Sequence, residues 1–484
     1  MNKKMILYIL GKMLGVEAIL LLVPTVVSLI YKEKSGLTFA FPIMILIFCY
    51  LAFGQIKPKD TSLYGKDGMV IVALAWILWT LFGCLPFVIS GFIPNIFDAI
   101  FETVSGFTTT GSTILTNVEV LPHGLQFWRC FTHWIGGMGV LVFVLVITSL
   151  EKKSSMVLMR AEVPGPEKDK LVSRSMTTAR ILYTMYFILT AIEVGFLMFG
   201  GMNLFDALVH SFSTAGTGGF SDYNASIAAF NSTYIEGVIT VFMALFGINF
   251  TMFYLLLLKE WKDVWKNEEL RGYIIIIGLA IAFITLYEVH AGDYSNYGTS
   301  FRYAAFAVVS TITTTGFVTT NYNLWHEASK VVILLVMIIG ACASSTGGGI
   351  KVSRFIVAFK QLKNTVKAII HPKGVNIIKM NGRKVGEDIL RGIQGYFICY
   401  IFIFLISVLC ISFENLGLEG TVSAVLTCLS NVGPGLGKVV GPVGNFSSLS
   451  DFSKMILSFD MLAGRLELFP MLVLLTLPFQ RKKF

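Results

Sequence analysis

The sequence predicts an all-α integral membrane protein of ten transmembrane helices: two N-terminal helices, then four pseudo-symmetric helix–pore loop–helix repeats around one pore. Three observations predict it. Of the 484 residues 55% are hydrophobic and 14% charged, with a mean hydropathy of +0.74, which is far from the usage of soluble domains. Apolar runs near the roughly 20 residues needed to cross a bilayer recur from end to end. Between those runs a short Ser/Thr/Gly-rich stretch occurs four times: "GFTTTGSTIL" from Gly106, "FSTAGTGGFS" from Phe212, "TITTTGFVTT" from Thr311 and "LSNVGPGLGK" from Leu429.

In chain order, the apolar runs place helices near 6–30, 39–55, 69–90, 124–149, 178–200, 233–258, 272–290, 328–360, 391–413 and 452–477. The opening "MNKKMILYIL" has the charge pattern of a signal peptide. Its apolar region continues to Ile30 without a small-x-small cleavage site, so it reads as a retained first helix. Residues 1–60 therefore hold the two N-terminal helices. The repeats follow at 69–150, 178–260, 272–362 and 390–480, the third with an interrupted second helix.

The formal charge of +9 is unevenly distributed. The N-terminal pair, the segments around Lys57, Glu151–Arg174, Lys259–Arg271 and Lys351–Arg391, and the C-terminal Arg481–Lys483 carry 28 of the 38 Lys and Arg residues. Placed on one side, they satisfy the positive-inside asymmetry. Both termini are then cytoplasmic, the four polar stretches face outward, and the charge reports orientation in lipid rather than a nucleic-acid partner. The seven cysteines lie mostly in apolar runs without a C-x-x-C pair, so they read as small buried side chains rather than a disulfide framework or zinc site. His123, His133, His210, His290, His326 and His371 are scattered with no H-E-x-x-H, and most are expected in loops or at helix ends. Asp98, Glu102, Asp206, Asp222 and Glu236 could concentrate cations at an outer mouth; a solvated loop face explains them equally well.

The four polar stretches belong to an internal repeat. Laying Phe97–Gly111 over Phe205–Gly219 matches the Phe-Asp-Ala entry and brings Gly111 onto Gly219; the other copies end at Gly316 and Gly433. A Gly-Ser-Thr stretch alone is an ordinary turn, but four in equivalent places between spans suggest fourfold pseudosymmetry about an axis. Irregular backbone at membrane depth survives only when buried in protein or lining water. Glycine adopts angles closed to other residues, small hydroxyl side chains let four strands meet, and rings of carbonyl oxygen can replace the hydration shell of a cation. The short helices before these strands would aim their negative C-terminal ends at the same place.

With "TTTG", "TGG", "TTTG" and "SNVG" in four helix–pore loop–helix units behind two extra helices, the chain resembles the Trk/Ktr superfamily of potassium transporters, specifically its bacterial TrkH-type membrane subunit. The resemblance covers essentially the whole chain. It implies a K⁺ filter made by the carbonyls of Thr109, Thr110 and Gly111; Thr217, Gly218 and Gly219; Thr314, Thr315 and Gly316; and Asn431, Val432 and Gly433. Glycine at position 111, where serine accompanies sodium preference, implies potassium. In the second unit "STAGTGG" also admits Gly216 as the filter glycine. The resemblance further implies a multi-pass protein of the bacterial plasma membrane, working as a homodimer in membrane lipid with a cytosolic nucleotide-binding regulatory subunit, for which Lys360–Arg391 offers a basic docking surface.

Two features inside the apolar runs bear on gating. Arg465, in "DMLAGRLELFP", places a cation near mid-membrane, which costs several kcal/mol unless it faces water or a partner. An ion pair with Asp460 or Glu467 would satisfy it; the resemblance instead implies an arginine beneath the filter. "GACASSTGGGIK", Gly340–Lys351, puts Gly347, Gly348 and Gly349 in succession where a helix should continue, so the chain is expected to unwind. It lacks the P-loop pattern and a preceding strand. A helix-packing patch of small residues is the competing reading, and the resemblance implies a gating loop. "GPGLGK" from Gly433 is a similarly weak phosphate-loop match. Two other functions compete with a channel-like pore. A Na⁺- or H⁺-coupled symporter calls for buried acid pairs, of which few are evident, and a membrane hydrolase calls for paired His, Asp or Glu within spans.

Overall fold

A computed structural model describes residues 1–139, 175–371 and 377–476. The inner part of the helix expected over 124–149, the basic segment Glu151–Arg174 and Arg481–Lys483 lie outside the described residues. Among the described residues the fold is helical, apart from a hairpin pairing Lys379–Met380 with Arg383–Lys384. The first helix, Lys3–Ile30, packs against a second that begins as a 3₁₀ turn, continues as Ala40–Cys49 and ends in a π turn at Tyr50–Gly54.

Behind this pair, four stretches of chain show one order of elements: a long apolar helix, a short helix, an extended segment and a second helix. The long helices are Gly65–Gly83, Ser175–Phe199, Glu268–Ala291 and Glu387–Ile411. The short ones, called pore helices here, are Ile96–Phe107, Leu204–Gly216, Tyr297–Ile312 and Gly417–Ser430. Three of them start at asparagines, Asn95, Asn203 and Asn296, whose side chains accept from backbone N–H groups of the first turn, the capping preference of that residue.

Lipid decides which faces are apolar. Along Glu387–Ile411, Ile398, Ile401, Phe402, Leu405, Ile406 and Leu409 are all more than half exposed. Such a stripe would be an aggregation liability in water and is ordinary against hydrocarbon. Interior packing is dense around the first pore helix. Phe107 meets Trp79 and Trp128 edge-on, and Trp128 Nε1 donates to the Gly83 carbonyl at 2.9 Å. All three rings are fully buried.

Among the described residues six helices are long and apolar enough to cross a membrane, or seven if one bent pair counts as a span. In the second, third and fourth units the second helices fall short for a physical reason: they are interrupted. The run expected as one helix over 233–258 is Thr233–Phe246 and Phe250–Leu257, bent by 91°, with Asn249 accepting from Thr251 N to cap the second piece. That over 328–360 stops at Ile339 and resumes at Val352, as the glycine run suggests. That over 452–477 breaks between Asp451–Arg465 and Phe469–Thr476, where Glu467 and Leu468 take positive φ. In the first unit the described helix His123–Gly137 ends at the Met138 cap.

Most histidines lie at helix ends as expected, His123, His290, His326 and His371 starting, ending or flanking helices, whereas His133 and His210 sit inside helices and are fully buried. The cysteine expectation is corrected in part. Of the cysteines, Cys84, Cys130, Cys342 and Cys428 are buried, while Cys49, Cys399 and Cys410 are only partly so; all are free.

Candidate functional site

Each pore helix ends in the same way. Thr109, Thr217, Thr314 and Asn431 adopt φ values of +56°, +56°, +58° and +57°. The amides of these residues donate three positions back, to Gly106, Thr214, Thr311 and Cys428. The next amides, of Thr110, Gly218, Thr315 and Val432, donate five back, to Ser105, Ser213, Ser310 and Thr427. This is the Schellman closure, normally built on glycine. Three threonines occupy its left-handed position, where β-branched residues are rare and strained by about 1–2 kcal/mol each. Strain of this kind persists where the surroundings over-determine it.

The residues that follow, Gly111, Gly219, Gly316 and Gly433, also have positive φ, and their surroundings close a ring. A Cβ on Gly111 would lie 1.9 Å from the Gly218 carbonyl oxygen, on Gly219 2.1 Å from that of Thr315, on Gly316 2.1 Å from that of Val432, and on Gly433 2.6 Å from that of Thr110. Each glycine therefore abuts the carbonyl of the next unit, and the fourth returns to the first. Gly216 lies within its helix, packed against the His133 carbonyl, so the Thr217–Gly219 segment matches the other three by backbone conformation.

The threonine hydroxyls brace the strands. Thr108 Oγ1 shares a proton with Thr110 Oγ1 at 2.8 Å, and Thr313 with Thr315 at the same distance. Asn431 Nδ2 donates to Thr110 Oγ1 and to the Met461 carbonyl, both at 2.9 Å. Beyond the glycines lies a cavity of about 160 Å³ lined by all four of them.

Before the glycines, at the other end of the strands, lies the Gly340–Lys351 loop. Gly348 N donates to Thr314 Oγ1 at 2.6 Å and Gly349 N to the Ser430 carbonyl at 2.9 Å. A Cβ on Gly348 would meet that Ser430 oxygen at 2.4 Å, and one on Gly347 would lie 2.9 Å from the Thr313 oxygen. The three successive glycines thus let the loop lie directly against the third and fourth strands. Several of its other polar groups find partners inside the protein, as irregular backbone at this depth requires. Phe250 N donates to the Ser344 oxygen at 3.1 Å, and Glu269 Oε1 accepts from Ala343 N at 2.7 Å. Lys351 Nζ donates to the Gly347 carbonyl, and Arg354 pairs with Glu467.

Arg465 reaches the same loop. Its guanidinium donates to the Thr346 carbonyl at 2.6 Å and to the Gly136 and Gly137 carbonyls at 2.6 and 2.7 Å. It thereby joins the fourth unit, the loop and the first unit's second helix. Asp460 accepts from Ser407 at 2.8 Å.

The outer acids are mostly engaged. Glu102 and Arg129 form an ion pair at 2.6 Å with side chains 0% and 2% exposed, Lys454 pairs with Asp98 at 2.6 Å, and Arg302 with Glu236 at 2.5 Å. The solvated-loop expectation fails for Glu102, which also accepts from Thr113 Oγ1 and Ile114 N at 2.9 Å and so fixes the chain just past Gly111. Glu102→Ala strands a buried guanidinium, a change that costs about 3–5 kcal/mol. Its detergent-solubilised thermal midpoint is expected to fall well below that of the parent protein; an unchanged midpoint contradicts a structural role for the pair.

Sequence reading does not find Arg354, Glu269 or the Arg129 pair as supports, because each is defined by a contact across roughly 30 to 110 positions of chain; Lys351 bonds only four positions back, to Gly347, but within a loop whose path the sequence does not give. It also misses the break before Phe250. Adjacent Gly247 and Asn249 carried that signal, as Pro470 did for the break before Phe469–Thr476: proline is tolerated in a first helical turn.

Comparison with known proteins agrees along the whole chain. The TrkH family, described as cation transport protein, matches residues 38–483. The chain is 38% identical over 468 residues to the Trk system potassium uptake protein TrkH of Escherichia coli K12, covering 96% of each. It is 36% identical to the TrkH of Vibrio parahaemolyticus, covering 99% of this chain and 100% of the relative. The crystal structure of the potassium transporter TrkH from Vibrio parahaemolyticus superposes with a TM-score of 0.85 at 32% identity, over 99% of this chain and all of that one.

Proposed function

The chain belongs to the TrkH family of cation transport proteins, and from that premise we propose that it takes up K⁺ through a filter of backbone carbonyls. The lining is Thr109–Gly111, Thr217–Gly219, Thr314–Gly316 and Asn431–Gly433. The observation that carries this reading is the closed ring in which each unit's glycine packs on the next unit's carbonyl. Four strands held that tightly share one axis, and the left-handed residue ahead of each glycine reverses the peptide so that successive oxygens face it. Ion coordination by rings of carbonyl oxygen follows from that arrangement.

The membrane potential supplies the driving force, about 2.3 kcal/mol per unit charge for each 100 mV. With the basic segments inside, both termini are cytoplasmic, the 160 Å³ cavity opens outward and the Gly340–Lys351 loop closes the inner side. The loop, with Gly347, Gly348 and Gly349, is the gate, and Arg465 its latch. A homodimer and a cytosolic nucleotide-binding subunit docking on the basic inner surface between Lys360 and Arg391 complete the assembly; Lys360 there already pairs with Glu268 and the Lys379 carbonyl beside the hairpin.

Purified protein in liposomes tests the reading directly. A diffusion potential alone, with equal pH and equal Na⁺ across the membrane, is expected to drive ⁸⁶Rb⁺ uptake that excess external K⁺ suppresses and Na⁺ does not. Uptake that requires a proton or sodium gradient would replace the pore with a coupled symporter.

A further inference from the structure

We propose that Glu288, Asp293 and His326 form a binding site for a divalent transition metal of the zinc class, on the side of the third unit from which its pore helix starts. The ligands converge from two helix ends. Glu288 lies in the last turn of Glu268–Ala291 with its side chain fully buried. The chain leaves that helix through Gly292 at φ +93°, with Gly292 N donating to the Val289 carbonyl and Asp293 N to that of Glu288. This further Schellman closure folds Asp293 back over the helix end. His326 arrives as the residue before Glu327–Ile339, its backbone N–H donating to Glu288 Oε1 at 3.3 Å.

The distances suit a shared ion. His326 Nδ1 lies 2.9 Å from Asp293 Oδ2 and 3.5 Å from Glu288 Oε2, and one ligand atom of each residue falls within 4.8 Å of the other two. Zinc bonds nitrogen and oxygen at about 2.0–2.2 Å, which puts neighbouring ligand atoms roughly 3–3.5 Å apart. Two carboxylates and a neutral imidazole present a charge of −2 to a dication. An imidazolium clip, the rival arrangement, needs only one carboxylate, whereas here a second one is held buried against the first. The ring is oriented by Tyr287, whose face meets it edge-on at 5.9 Å. One nitrogen and two oxygens with room for water resemble an open zinc site more than a calcium cage, which would take six to eight oxygens. Among the described residues this is the one trio of His, Cys, Asp and Glu with such spacing. Its placement outside the cell rests on the orientation proposed above; binding itself does not.

Tag-free full-length protein, stripped with EDTA and titrated calorimetrically with Zn²⁺ and with Co²⁺, tests the site. One equivalent per chain is expected, with Co²⁺ giving a visible ligand-field band. Asp293→Ala and His326→Ala are each expected to weaken binding by roughly tenfold or more, a loss of about 1.4 kcal/mol. Equal concentrations of Mg²⁺ or Ca²⁺ are expected not to displace the metal, since imidazole favours the later ions. The two variants should retain ⁸⁶Rb⁺ uptake in EDTA buffer, which separates loss of the site from loss of the fold and leaves the transport reading independent of the outcome. Binding that is absent, that both variants retain, or that Ca²⁺ displaces would overturn the proposal.

Discussion

Gly316→Ala is expected to cut ⁸⁶Rb⁺ uptake into liposomes by at least roughly tenfold, equivalent to about 1.4 kcal/mol on the passage of the ion, while leaving a protein that still purifies as a single species. The reason is local. A methyl at this position would sit 2.1 Å from the Val432 carbonyl oxygen and 2.8 Å from Pro434 Cδ, distances no unbonded carbon tolerates. Alanine also disfavours the φ of +79° found there. Either the third strand or the fourth must retreat, and the ring is closed, so a retreat at one junction opens its neighbours.

The same substitution where nothing crowds provides the control. Gly278, in the middle of Glu268–Ala291, has no atom within 4 Å of a Cβ and ordinary helical angles. Gly278→Ala should transport like the parent and gain some helix stability. If Gly316→Ala behaved the same way, the convergence of the four strands would have no bearing on ion passage. A graded result is also informative: Gly433→Ala, with 2.6 Å to the Thr110 oxygen, should do less harm than Gly316→Ala if crowding governs the loss.

The periodic parts of this architecture are legible in the sequence because local chemistry dictates them. The long helices follow from apolar length, and the strand ends from glycines spaced by about a hundred residues. The interruption at Gly340–Lys351 is legible for the same reason, three successive glycines being poor helix formers. What stays hidden depends on the partner surface. Glu102 reads as a mouth acid until Arg129 is seen beside it. His133 reads as a helix-end residue until its ring is found at Gly218, where a Cβ would fall 2.3 Å from Nδ1. Asn431 stands where the other three units have threonine; its amide reaches the Met461 carbonyl, a contact that no spacing in the chain foretells. Breaks after Phe246 and Arg465 are hidden by strongly apolar flanks, since hydropathy measures the solvent a segment prefers and is blind to a bend within it.

Arg465→Ala is expected to raise ⁸⁶Rb⁺ flux severalfold or more, and two effects of its guanidinium combine to give that sign. The first is charge: a K⁺ ion passing within roughly 8 Å of it would meet about 2 kcal/mol of repulsion at an effective dielectric of about 20. The second is attachment. Ties on the loop include Gly348 N on Thr314, Gly349 N on Ser430, Ser344 on Phe250 N and Arg465 on Thr346, beside Ala343 N on Glu269 and Cys342 N on Gly247. At about 1 kcal/mol net for each neutral bond and somewhat more for the charged one, the first four alone hold it by roughly 5 kcal/mol. If the loop is the gate proposed above, ties of that strength keep it shut unaided, as a pore opened by the proposed regulatory partner requires. Alanine removes the strongest of those ties and the repulsion together. Arg465→Lys separates them, because an ammonium keeps the charge but cannot span three carbonyls with a planar fork: flux near the parental level would assign the barrier to charge, and flux near that of Arg465→Ala would assign it to the latch. Shortening Ser344–Gly349 should raise flux further, since it removes the obstruction along with its ties. Folded Arg465→Ala protein with parental or lower flux would dismiss both effects and leave Arg465 as a packing residue that joins three units.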